Sequence, residues 1–196
     1  MSPASGRATA VVLAGGTSRR FGSDKLAHPV RGRPLLDHTL AGLPEDVDVV
    51  LVGPVRRTER AVTAVREDPP GGGPTAALVA GLRHALAGGA ELVLVLPGDA
   101  PGAGRAAGVL REALLSGGHD AVLGVDVHGR EQVLQLALRC AAAEQLVTLA
   151  GPDGGAGQSA RRLVHRLDPP PAPCPLPAAA TFDVDDHDQL DTWLRG

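Results

Sequence analysis

Three short runs constrain this chain more than anything else in it: TAVVLAGG at residues 9–16, DVDVVLVG at 46–53 and ELVLVLPGD at 91–99. The first is too uniformly apolar to have a wet face, so it reads as a strand buried on both sides, and the other two continue the pattern. Helix-like segments separate them. PLLDHTLAGL (34–43) has apolar residues at helical spacing, with Pro34 suited to a first turn. PTAALVAGLRHALAGG (74–89) spans about four turns before a Gly-Gly stop. A short strand is expected near 62–65, a helix over GRAAGVLREALLSGG, strands over DAVLGVDV and EQVLQLALRC, and a helix over AAAEQLVTLAG. This alternation predicts an α/β fold: a three-layer, Rossmann-like, open and mostly parallel sheet with helices on both faces.

Length and composition agree with that reading. At 196 residues the chain fits one domain, 1–196, with a substantial core, and neither an internal repeat nor a linker divides it. Only 2% of it is aromatic, with no Tyr and one Trp, so the core must come from Ala, Val and Leu, which suits flat helix-on-sheet layers. The 26 Gly and 17 Pro together stay below the roughly one quarter of residues that marks a disordered chain. LDPPPAPCPLPAAA (167–180) is too rich in proline for regular structure and reads as an extended surface connection. TFDVDDHDQLDTWL then reads as a short strand entering a capped terminal helix.

Several function classes lose support. A net charge of −3 gives no general attraction to nucleic acid or to an anionic membrane. Two cysteines, Cys140 and Cys174, make neither a disulfide framework nor a zinc pattern. The segment MSPASGRAT has no signal-peptide pattern, and no stretch approaches a membrane span. The expectation is a soluble cytoplasmic protein.

In an open α/β sheet, ligands bind beyond the carboxyl ends of the strands. There VVLAGGTSRRFGSDK (11–25) runs from a buried strand into a glycine pair and then into Arg19, Arg20 and Lys25. A glycine loop after a strand exposes backbone N–H groups, and a following helix end adds partial positive charge, so phosphate is the natural guest. The loop is neither a Walker loop nor the GxGxxG fingerprint, and an ordinary Gly-rich turn with solvated arginines would look the same. Asp99 ends a second apolar strand, where a carboxylate either caps the next segment or holds a cation. Asp183 and Asp185 alternate and so point the same way. With Asp99 they suit Mg²⁺, which takes one or two carboxylates plus phosphate oxygens, although aspartates also favour the start of the last helix.

LAGGTSRRFGSDK resembles the LAGGxSxRxGxDK signature of the molybdenum cofactor guanylyltransferases, the MobA-like nucleotidyltransferases. EDPPGGGPTAALVAGL, LPGDAP, GAGQSARRLV and FDVDDHDQL are similar to further segments of that family, in order, over nearly the whole chain. The resemblance implies the nucleotide-diphospho-sugar transferase type of fold. It implies transfer of GMP from GTP to molybdopterin, with Mg²⁺ as cofactor and transient contact with other cofactor-biosynthesis proteins or molybdoenzymes. Carried over by residue, Leu13, Ala14, Gly15 and Gly16 would contact base and phosphates, Arg19 and Lys25 the triphosphate, and Asp68 the nucleoside. Asp99 and Asp185 would hold the metal, and Arg19, Lys25 and Asp99 would be catalytic. The LAGG form resembles the guanine-using branch. Two departures stand out: Asp183 and Asp185 replace asparagines of the family, and REQVLQLAL lacks a His-Pro pair that bears on the acceptor. A cytidylyltransferase, a transferase for another phosphorylated acceptor and a silent nucleotide-binding regulator are the competing readings.

Overall fold

Strand β1 (Ala8–Leu13) shows why the apolar runs become strands. Its alternate residues enter two different cores: Ala10 and Val12 pack on one face with Leu51, Leu94 and Leu96, and Val11 on the other with Val50, Val52 and Val95. The computed structural model describes residues 6–16, 21–22 and 24–195. After β1 come a short hairpin, β2 (Pro29–Val30) and β3 (Arg33–Pro34), then α1 (Leu35–Ala41), β4 (Asp48–Val52), β5 (Thr63–Val65) and α2 (Pro74–Ala87). β6 (Leu92–Pro97), α3 (Ala103–Ser116), β7 (Ala121–Val125), β8 (Glu131–Arg139) and α4 (Cys140–Ala150) follow. α5 (Ala160–Val164), β9 (Ala172–Pro175) and α6 (His187–Arg195) complete the order.

Among the described residues the main sheet has seven strands in the order β5-β4-β1-β6-β8-β7-β9. β5, β4, β1 and β6 are parallel neighbours, and β8 runs against both β6 and β7. The reversal is local chemistry. One Asp126 carboxylate oxygen accepts from the N–H groups of His128 and Arg130, at 2.8 and 2.9 Å, closing a turn too short for a crossover. Leu36 and Leu40 of α1, with Leu110 and Leu114 of α3, cover one face, and Leu78 and Leu82 of α2 with Leu146 of α4 cover the other. No helix among the described residues is long and apolar enough to cross a membrane.

Two expectations need correction. The proline-rich segment is not merely a surface connection: β9 lies within it and pairs in parallel with β7 at the sheet edge. Edge strands tolerate proline because one side of the ladder needs no donor, and Cys174, Leu176 and Ala180 are buried against the core. The segment holding Asp183 and Asp185, in contrast, is not a strand. It crosses the carboxyl edge of the sheet, and the Val184 N–H donates to the Asp99 carbonyl at 3.0 Å.

Candidate active site

The end of β1 is clamped between its neighbours. The Ala14 N–H donates to the Val52 carbonyl at 2.8 Å, and the Gly98 N–H to the Leu13 carbonyl at 2.9 Å. A Cβ on Gly53 would lie 2.6 Å from the Ala14 oxygen, and one on Gly98 2.9 Å from the Leu13 oxygen, so only glycine permits both approaches. Beyond the clamp Gly15 and Gly16 are exposed, and none of the described residues comes within 4 Å of where their side chains would stand. Gly16 has φ +118°, a backbone state that disfavours any residue with a side chain.

Lys25 opens a single 3₁₀ turn, Lys25–Ala27, capped by the Asp24 carboxylate, which accepts from the Leu26 N–H at 3.2 Å. Its ammonium lies 2.7 Å from Asp99 Oδ2 and 2.8 Å from Asp185 Oδ1, with the side chain only 12% exposed. Residues from the start, middle and end of the chain therefore meet. A small core of Phe21, Val30, Leu35, Val184 and Leu190, with Trp193 packed against it, holds the terminal segment in place. The terminal helix is capped as expected: Asp186 Oδ1 accepts from the Gln189 N–H at 2.8 Å.

The electrostatics follow from this meeting. Burial pushes the Lys25 ammonium down, but hydrogen bonds and charge from Asp185 and Asp99 outweigh it and raise it overall. Asp183 is pushed up to about 6, by burial first and then by the negative charges of Asp99 and Asp185, with Lys25 opposing. Three carboxyl groups thus feel one another across a single space, and Lys25 supplies the cation there. Among the described residues no set of three or more His, Cys, Asp or Glu side chains closes on one metal position. Mg²⁺ fits such a partial donor set, because it retains water and shares phosphate oxygens instead of filling its shell from protein.

Of the other expected residues, Arg19 and Arg20 lie outside the described residues. Asp68 is not in the Lys25 cluster: it lines a cavity of about 370 Å³ along α2 with Val65, Arg66, Arg83 and Gly154. The sequence reading missed Arg56. Its guanidinium pairs with Asp24 and donates from Nη2 to the Ala14 carbonyl at 3.3 Å, and its side chain is 12% exposed. It ties the start of the glycine loop to the cap of the Lys25 turn. Its only trace in the sequence was its place just after β4, as Asp99 stands just after β6.

Known proteins resemble this chain in sequence and in fold. A protein of Acidiphilium cryptum named molybdenum cofactor guanylyltransferase is 40% identical over 109 residues, 53% of this chain and 56% of that protein. The chain thus spans little more than half of that relative. A probable molybdenum cofactor guanylyltransferase of Bacillus cereus is 30% identical over 147 residues, 71% of this chain and 72% of that protein. The crystal structure of Rv0371c from Mycobacterium tuberculosis superimposes with a TM-score of 0.74 at 20% identity, over 97% of this chain and 99% of that one, a likeness of fold. The profile of the MobA-like NTP transferase domain matches residues 10–170, four-fifths of the sequence, and the chain belongs to that family.

Proposed function

We propose that the chain transfers GMP from GTP to the phosphate of a molybdopterin-type acceptor and releases pyrophosphate. The observation that carries this reading is the Lys25 ammonium held between Asp99 and Asp185 at the carboxyl edge of the sheet, next to the open Gly15-Gly16 backbone. An acceptor phosphate oxygen forms the new bond to the α-phosphorus, and the bond from that phosphorus to the β-bridging oxygen breaks. The attacking group is already anionic, so no protein nucleophile is required. What the protein must supply is charge neutralisation and alignment.

Lys25 provides a fixed cation, and the N–H groups of the exposed Gly15 and Gly16 would provide donors for phosphate oxygens. Asp99 and Asp185 would hold Mg²⁺, which when bound would offset the triphosphate charge. Gly15, with nothing among the described residues within 4 Å of a Cβ position, would leave room for a purine against the backbone. The named relatives support guanine as the base.

The test is pyrophosphate release from GTP, CTP, ATP and UTP with molybdenum cofactor as acceptor and Mg²⁺ present. GTP should lead. Preference for CTP would favour a cytidylyltransferase, and NTP binding without release from any of the four would favour a silent nucleotide-binding protein.

A further inference from the structure

A second cavity, of about 620 Å³, opens on the α1/α3 side of the sheet, among α1, α3, the β2–β3 hairpin and α6. Neither Lys25, Asp99 nor Asp185 lines it. Its size lies within the range of small-molecule sites. Arg31 and Arg33 of the β2–β3 hairpin and Arg105 of α3 line it, together with His38 of α1. Among the described residues no carboxylate lines it, although the chain as a whole is net negative. Glu59, 2.8 Å from Arg33, approaches from outside the lining.

Two further features point to a ligand with both charge and a flat apolar body. Ala106, Val109 and Pro101 give the cavity an apolar wall. The Trp193 ring stands in it, with the Arg31 guanidinium 5.8 Å from the ring centroid and the His38 ring edge-on at 5.2 Å. Arg31 has φ +50° and is the non-glycine residue with positive φ among those described. The two-residue loop of the hairpin requires that, since both of its central residues, Arg31 and Gly32 (φ +80°), must take positive φ. An anionic group entering this lining meets guanidinium groups and, among the described residues, no carboxylate.

We infer that this cavity is a second binding site, for a small aromatic anion such as an aryl phosphate, separate from the nucleotide site. Guanidinium groups take the anionic oxygens, while the wall and Trp193 take the ring.

Trp193 is the one tryptophan of the chain, so its emission reports on this cavity directly. The experiment is a fluorescence titration of the full chain with phenyl phosphate, beside phenol and inorganic phosphate. The expected result is a saturable change with a dissociation constant at or below about 1 mM, corresponding to about 4 kcal/mol of binding. Arg105→Ala and Arg33→Ala should each weaken it about tenfold, and neither phenol nor inorganic phosphate should match it. Lys25→Ala should leave the titration unchanged, which separates this cavity from the nucleotide site. Absence of saturation, equal binding of inorganic phosphate, indifference to both arginine changes, or loss in Lys25→Ala would each overturn the inference. Circular dichroism of the arginine variants checks that the fold is intact, and an unfolded variant is replaced by the corresponding Arg→Gln change.

Discussion

Lys25 shares its ammonium between two aspartates that play unequal parts. Asp99 ends a central strand, and its main-chain oxygen anchors Val184, so Asp99→Asn keeps that anchor and should fold. Loss of its charge should lower turnover by about 10²-fold or more. Asp185 is more exposed, at 47% against 32%, and Asp185→Asn should cost less. Pyrophosphate release measured across a Mg²⁺ titration checks the order; equal and small losses would leave both aspartates as structural partners of Lys25. Arg56 carries a second expectation. Arg56→Ala removes both the pair with Asp24 and the bond to the Ala14 carbonyl, while Asp24→Asn keeps an acceptor for the Leu26 N–H but gives up the ion pair. Each change should lower turnover about tenfold, and the double variant should lose little more than either single, because one tie is broken once. Fully additive losses would show that Arg56 and Asp24 act separately. The sequence made Asp99 legible by its place at a strand end, and the family signature pointed to Lys25 and Asp185. Asp24 stands in that signature, but Arg56 and its tie to Asp24 were not legible, because the contact spans 32 residues that no spacing rule links.

Elements were readable where a residue's neighbours in sequence decide its surroundings. Each strand of the β4-β1-β6 centre divides its side chains between two cores, so an apolar run was enough to find it. Elements failed where a distant partner decides. β9 exists because β7 offers it an edge, which prolines at 173 and 175 do not advertise. The segment around Asp183 alternates like a strand but meets no ladder among the described residues; the Val184 N–H donates to the Asp99 carbonyl instead. Packing between elements also explains a helix-breaking residue in the middle of α2. A Cβ on Gly81 would lie 2.2 Å from Val11 Cγ1, and Val11 is fully buried, so α2 crosses β1 at its missing side chain. Despite the better helix propensity of alanine, Gly81→Ala should destabilise by about 2 kcal/mol, lowering Tm by about 5 °C. Calorimetry showing an unchanged or higher Tm would mean that β1 and α2 part without strain.

At the scale of the whole molecule the candidate site is a junction of three distant stretches of chain. Lys25 follows the first strand, Asp99 follows a central one, and Asp185 arrives only after the chain has passed the far edge of the sheet through β9. A ligand that engages all three resists separation of the terminal segment from the sheet as well as filling a pocket. It should therefore stabilise the folded chain by mass action, by about 2.7 kcal/mol at a free concentration one hundred times its dissociation constant. For a chain of this length that is a rise in Tm of roughly 5–10 °C. GTP with Mg²⁺ should give the full rise, and GTP with a chelator a smaller one, because the triphosphate would then meet Asp99 and Asp185 with only the Lys25 ammonium to offset their charge. Asp185→Ala should remove most of the difference between the two conditions while sparing the rise due to nucleotide alone. Differential scanning calorimetry of both proteins under both conditions decides the matter. If Mg²⁺ adds the same increment with and without Asp185, the C-terminal segment plays no part in holding the metal, and Lys25 is the partner that keeps it against the sheet.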